Sequence, residues 1–222
     1  MGFITISKIL MILIVPFLLF LFVLNFAVFS DSFYKEKFSE YGVNKDVPKA
    51  GLLHGKVIDF IKGGNKELPN DFNEREKQHL LDVRNVIGFS TRLLYILIIL
   101  FMALLIFSAF ALNAKNRIAD FLGRVFVFGG LLAILSAAAL LFLISSNFSS
   151  AFESFHIMLF KQGTYTFDPS SEIIVRIYPE QLFMDLGIRI SKLVVIASVA
   201  IALFGSFLSF KPKSKKNKKK EK

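Results

Sequence analysis

Cysteine is absent from the 222 residues, which excludes disulfides, a thiol nucleophile, cysteine-ligated metals and lipidation of the chain on a cysteine of its own. Tryptophan is absent as well, so any aromatic belt at a membrane surface has to come from five Tyr and 27 Phe. Histidine is scarce, with His54, His79 and His156 the full set. There is no Gly-x-Ser-x-Gly elbow, no phosphate-binding loop and no His-Glu-x-x-His motif. A serine hydrolase of the elbow type, a P-loop nucleotide hydrolase and a zincin therefore have no support in the sequence.

What the chain has in quantity is apolar surface. Hydrophobic residues make up 54% and the mean hydropathy is +0.58, more than one soluble core of this length uses, so the chain reads as a membrane protein. A spanning helix needs about 20 mostly apolar residues, and four stretches qualify, at about 9–29, 93–112, 125–145 and 190–210. The expected fold is all-α, with four transmembrane helices and two outer segments, 31–92 and 146–189, forming a small cap. Residues 1–210 would make one membrane domain and 211–222 a disordered lysine-rich tail. The first run is longer than the roughly 7–15 apolar residues of a signal-peptide core, and no small-x-small site follows it cleanly, so it is read as a retained anchor.

Charge orients the spans, because Lys and Arg are retained on the cytoplasmic side. The short connection after the second span carries Lys115, Arg117 and Arg124 against Asp120, and the tail 211–222 has eight Lys against Glu221. The outer segments are near neutral, with eleven basic and ten acidic residues over 31–92 and four basic and five acidic over 146–192. Both termini are thus expected in the cytoplasm of a multi-pass cell-membrane protein, with the two outer segments on the extracytoplasmic face. A monomer is expected, with the membrane itself and a lipid or lipid-modified protein as partners and no nucleic acid.

Within the first outer segment, Leu52, Leu53, Val57, Ile58 and Ile61 recur at helical spacing after Pro48, which predicts an amphipathic helix lying on the membrane surface. Gly63-Gly64-Asn65 stops it. Asn73 followed three residues later by Glu76 reads as a capping pair opening a helix that runs into the second span and carries His79 about three turns above the membrane. In the second outer segment, 152–160 reads as helical or partly extended at the membrane edge. Gln162-Gly163 reads as a turn, and two β-prone runs, Thr164–Phe167 and Ile173–Ile177, predict a short hairpin. Tyr178-Pro-Glu180 then opens the helix of the last span.

Each histidine has two readings, as a proton carrier near neutral pH or as a structural residue. His54 and Asp59 have the His-x-x-x-x-Asp spacing of glycerolipid acyltransferases, but the companion motifs and α/β domain of that class are missing. On a helix the two would also point about 140° apart. His79 shares a helix face with Glu76 and Asp82, three residues to either side, so a carboxylate can fix its tautomer; equally, the stretch fits a solvated charged face. His156 sits among Phe155, Ile157, Met158, Leu159 and Phe160, a setting for a packed core residue or for a functional ionisable group at the membrane edge. No recognised metal spacing joins them, and no metal or other cofactor is expected.

The order of four motifs narrows the choice. His79-Leu-Leu-Asp-Val-Arg84, Ser154-Phe-His-Ile-Met-Leu-Phe160, Tyr165-Thr-Phe-Asp-Pro169 and Ile177-Tyr-Pro-Glu-Gln-Leu-Phe183 resemble the four-span DUF1461 membrane family, which includes the Lit-type lipoprotein intramolecular transacylases. The likeness covers nearly the whole chain. It implies a cofactor-independent O-to-N acyl shift, in which the sn-2 acyl chain of a diacylglyceryl lipoprotein moves to the α-amino group of its own lipidated cysteine and leaves the lyso-form. His79 and His156 would be the catalytic pair, with Asp82, Glu76, Arg84, Tyr165, Asp168, Tyr178 and Glu180 in support. Backbone N–H groups near Gln162-Gly163, or Arg84, would meet the oxyanion. The rival readings are a non-catalytic membrane subunit or sensor, and an acyl-transfer or hydrolytic enzyme acting on a different lipid.

Overall fold

The computed structural model describes residues 2–64, 67–113, 115–160 and 165–209. Nine helices and no strand occur among them. α1 (Phe3–Val28) crosses first, and three short helices follow: α2 (Asp31–Glu40), α3 (Val43–Asp46) and α4 (Ala50–Ile61). α5 (Glu74–Leu112) and α6 (Lys115–Ser146) are the next two long helices. α7 (Phe148–Leu159) and α8 (Ile173–Ile177) lead into α9 (Glu180–Ser209). The four helices long and apolar enough to cross a membrane are α1, α5, α6 and α9, which gives the four spans read from the sequence.

α5 has 39 residues, about 58 Å at 1.5 Å per residue, against about 30 Å of hydrocarbon. Its second half is the apolar one, so its first half stands clear of the membrane and holds His79. What starts it is the expected capping pair: the Asn73 side chain accepts from Glu76 N at 2.9 Å, and Glu76 Oε2 accepts from Asn73 N at 2.6 Å. α1 lies against α5, α6 and α9, and the most extensive interface is between α6 and α9. Several polar side chains inside these apolar seams are paired. Ser7 and Ser108 meet at 2.8 Å, and the Thr91 hydroxyl donates to Asn25 Oδ1 at 2.6 Å.

Close approach of α6 and α9 depends on glycine. A Cβ at Gly205 would stand 2.6 Å from the Gly123 carbonyl oxygen, and one at Gly130 would stand 2.8 Å from that of Ser198. Backbone cannot swing aside as a side chain does, so Gly205→Val is expected to cost about 1–3 kcal/mol. Gly51→Ala on α4, with open space around the new methyl, should instead be neutral or stabilising by up to about 1 kcal/mol. Thermal unfolding in detergent reads both, and a Gly205→Val protein as stable as the parent would contradict the packing.

The short helices between the spans pack on one another. α2, α4, α8 and the start of α5 enclose a core that includes Tyr34, Phe38, Leu53, Phe72, Leu80 and Ile177. Two expectations are corrected here. The run Ile173–Ile177 is a helical turn, not a hairpin strand, and Tyr165–Phe167 has no strand geometry. Ile174 and Ile177 are both buried; residues three apart share a helix face but lie on opposite faces of a strand. The Ile174 N–H, which a ladder would need, donates to Glu76 Oε1 at 2.7 Å. The second correction concerns α4, whose Leu53, Val57 and Ile61 are buried inside the cap core instead of facing lipid. The exposed apolar surface belongs to α7, which has no buried residue and exposes Ile157 and Met158, the latter at 74%. The turn expected at Gln162-Gly163 and the tail 211–222 lie outside the described residues.

Candidate functional site

A pocket of about 260 Å³ opens in the cap, and all three histidines line it. Its other walls are apolar, from the end of α1, the α4 stripe, α5, α7 and the start of α9. A wider concavity of about 470 Å³, beside Lys8, Arg117 and Arg124, lies at the opposite end of the bundle.

His79 and His156 come together although 77 positions separate them. Their ring centroids are 6.1 Å apart at an interplanar angle of 21°, a stacked arrangement. Phe160 and Phe167 close on His79 at 4.9 and 5.3 Å, and Phe152 and Tyr165 on His156 at 4.3 and 5.1 Å. Asn147 starts α7, its side chain accepting from Ser150 N at 3.0 Å, which sets the rotation of the helix that presents His156.

Electrostatics keep the pair neutral. His79 is 8% exposed, and burial, reinforced by the neighbouring His156 and opposed by Asp82, lowers its pKa to about 4. Burial also lowers that of His156, with the Phe152 carbonyl acting the other way. His156 Nδ1 lies 2.7 Å from that carbonyl oxygen. A carbonyl only accepts, so Nδ1 carries the proton and Nε2 keeps its lone pair.

The supporting residues divide. Tyr165 and Tyr178 line the pocket. Asp82 lies close enough to influence His79, yet among the described residues its Oδ2 and His79 Nδ1 are each buried without a hydrogen-bond partner, while Oδ1 accepts from Gln78 at 3.3 Å. Glu76, 1% exposed, gives both oxygens to the backbone N–H groups of Asn73 and Ile174, so it caps α5 and anchors α8 and has no bond to the His79 ring. Arg84 stacks on Phe60 at 4.9 Å, away from the pocket walls. Asp168 caps its own turn through Ser170 and Ser171, and Glu180 accepts from the Ser149 hydroxyl, tying α9 to α7.

Two features escaped the sequence reading. His54 belongs to the site, not with Asp59, which is exposed: its Nδ1 lies 3.0 Å from the Tyr178 hydroxyl and its ring lies on Tyr34 at 4.2 Å. The available signal was its place in the buried stripe of Leu53, Val57 and Ile61. The other is Glu172, 4% exposed, which pairs with the Arg75 guanidinium, accepts from Asn73 at 3.3 Å and accepts from the Asp168 N–H at 2.7 Å. Arg75 also covers Phe167 at 5.3 Å, so this network holds the segment that brings Tyr165 and Phe167 to the histidines. Among the described residues no three His, Asp or Glu side chains gather as a metal site would require.

Residues 9–183 match the family model for the lipoprotein intramolecular transacylase Lit. An uncharacterized protein of Aquifex aeolicus (strain VF5) is 25% identical over 157 residues, 71% of this chain and 67% of its own length. The membrane-integral lipoprotein intramolecular transacylase Lit of Bacillus cereus superposes with a TM-score of 0.80 at 19% identity, covering 92% of this chain and 95% of that one. A histidine-to-alanine variant of the same protein gives a TM-score of 0.76 at 18% identity, with 92% and 93% covered. These superpositions describe a shared fold, and the match over most of the length gives the family: the chain belongs to the Lit lipoprotein intramolecular transacylases and is a membrane acyltransferase.

Proposed function

We propose that the stacked histidines carry out an O-to-N acyl shift on a diacylglyceryl lipoprotein, moving the sn-2 acyl chain to the α-amino group of the lipidated cysteine. The observation that carries this reading is the His156 ring, pinned through Nδ1 to Phe152 and left with an Nε2 lone pair in a mostly apolar pocket beside a second neutral imidazole.

The amine nitrogen attacks the sn-2 carbonyl carbon, and the tetrahedral intermediate then expels the glyceryl oxygen. The amine loses one proton and the departing oxygen gains one, so a single neutral imidazole balances the reaction by taking the proton and returning it. His156 is that base. His79 holds the substrate or passes the proton on, and a small movement of the unpartnered Asp82 oxygen toward His79 Nδ1 would fix its tautomer. Conversion of an ester to an amide is downhill, and both reacting groups sit on one molecule. The pocket therefore supplies orientation, worth effective molarities of about 10⁵–10⁸ M in well-held cases. The exposed apolar face of α7 rests in the outer leaflet, with the termini on the cytoplasmic side, so that a lipid substrate reaches the histidines laterally.

The test is expression in a bacterium lacking its own lipoprotein N-acyltransferase, with mass spectrometry of lipoprotein N-termini. Lyso-form peptides made by the wild type support the reading; unmodified diacylglyceryl peptides from well-expressed protein overturn it. A pH profile adds detail. Burial lowers the pKa of both imidazoles below the ordinary histidine value, that of His79 to about 4, whereas a free α-amino group titrates near 8 and becomes a non-nucleophilic ammonium below that. kcat/KM is expected to rise with slope one from about pH 6.5 to 8 and then level. A limb near pH 6.5 that moves when His79 is changed would place an ionising imidazole where a neutral one is required.

A further inference from the structure

His54 and Tyr178 are in the pocket but have no part in the proton transfer. His54 is 5% exposed, burial lowers its pKa to about 4, and burial raises that of the Tyr178 phenol well above its usual value. Both rings are therefore neutral, and each carries one hydrogen on a polar atom. Among the described residues their side chains have a single hydrogen bond, the one between His54 Nδ1 and the Tyr178 hydroxyl at 3.0 Å.

The donor count is fixed by this arrangement. If the phenol donates to Nδ1, the imidazole hydrogen is on Nε2 and has no acceptor. If Nδ1–H donates to the phenol oxygen, the phenol hydrogen has none. Either tautomer leaves one spare donor at the His54 end of a mostly apolar pocket, and such a donor favours a ligand that brings an acceptor. Tyr34 and Phe38 pack against His54 at 4.2 and 5.5 Å and hold the ring in place.

The acceptor is not the reacting carbonyl. Among the described residues no ring contact joins this pair to His156; the path runs through Phe152 to Phe183 at 5.2 Å and from Phe183 to Tyr178 at 6.5 Å. The spare donor therefore meets a part of the substrate several bonds from the acyl shift. On a diacylglyceryl group the carbonyl at that remove, within the apolar part of the molecule, is the sn-1 ester; the peptide leaves toward water.

We infer that His54 and Tyr178 form a specificity site that donates a hydrogen bond to the sn-1 ester carbonyl of the diacylglyceryl group, an inference that rests on the acyl-shift reading. An sn-1 ether has no such oxygen.

The experiment is a competition in one vessel, using the purified full-length protein in detergent. Two synthetic S-glyceryl-cysteinyl peptides are mixed, each with an sn-2 ester, one with an sn-1 ester and the other with an sn-1 ether. The ratio of N-acyl products gives the ratio of kcat/KM whatever fraction of the protein is active. Wild type is expected to favour the ester by about tenfold, the worth of one good hydrogen bond, and His54→Phe/Tyr178→Phe to show no preference. Replacing both partners with apolar rings leaves no orphaned group, so this variant is expected to fold; His54→Leu/Tyr178→Phe is the second variant. A wild-type ratio near one overturns the inference while leaving the acyl shift in place, and so does a tenfold ratio that persists in the double variants. Absence of product from either substrate with wild type would instead overturn the reading beneath it.

Discussion

Replacing His156 with alanine is expected to lower kcat for lyso-form production by about 10²- to 10⁴-fold, the range for loss of a general acid–base group, with the protein still folded. The second half of this expectation follows from where the side chain is. Among the described residues its one hydrogen bond returns to Phe152, four residues back on the same helix, and α7 has no buried residue. Alanine, the best helix former, keeps α7 intact. Two readouts separate chemistry from packing. Added imidazole should partly restore the His156→Ala rate, because a small base can occupy the vacated space. The thermal midpoint in detergent should change little. A variant that turns over within threefold of wild type would remove His156 from the proton path, and a rate loss with no imidazole rescue and a collapsed midpoint would make its role structural. His79→Ala is expected to weaken turnover as well, since His79 packs directly on the His156 ring.

How far the sequence reaches can be judged from individual residues. The four spans were legible because runs of some 20 apolar residues have few alternatives, and the Asn73–Glu76 cap was legible because it is local. Convergence of His79 and His156 was not legible from spacing, since nothing in the chain encodes a contact across 77 positions; the family resemblance suggested it. Ile173–Ile177 misled because a five-residue β-branched run has no period long enough to distinguish strand from helical turn. Glu76 misled for a different reason. A carboxylate three residues before a histidine shares its helix face, but at the first turn it also faces unsatisfied backbone N–H groups, and those took it. His54 was set aside with Asp59 because the pair was judged by its spacing, while the apolar stripe beside it already marked it as inward.

The cap role of Glu76 leads to the largest expected loss of stability. Glu76→Ala is expected to destabilise the protein by about 2–4 kcal/mol, because the buried Ile174 N–H loses its acceptor at a cost of about 1–3 kcal/mol and the part-buried Asn73 N–H loses one at the lower end of that range. One of these donors starts α5 and the other starts α8, so the loss loosens the helix that carries His79 from the turn that leads to Tyr178. Gln at this position should cost roughly half as much. Its single carbonyl oxygen can serve one N–H, but its amide group turns a donor toward the other. The order wild type, Gln, Ala in thermal midpoint is therefore the diagnostic result, and a Glu76→Ala protein within about 0.5 kcal/mol of wild type would show that water replaces the carboxylate without cost. Activity should fall along with stability but respond to temperature. At low temperature, where the cap remains closed, Glu76→Ala should recover most of its turnover, whereas His156→Ala should not, because cooling restores a loosened scaffold but cannot supply a missing base.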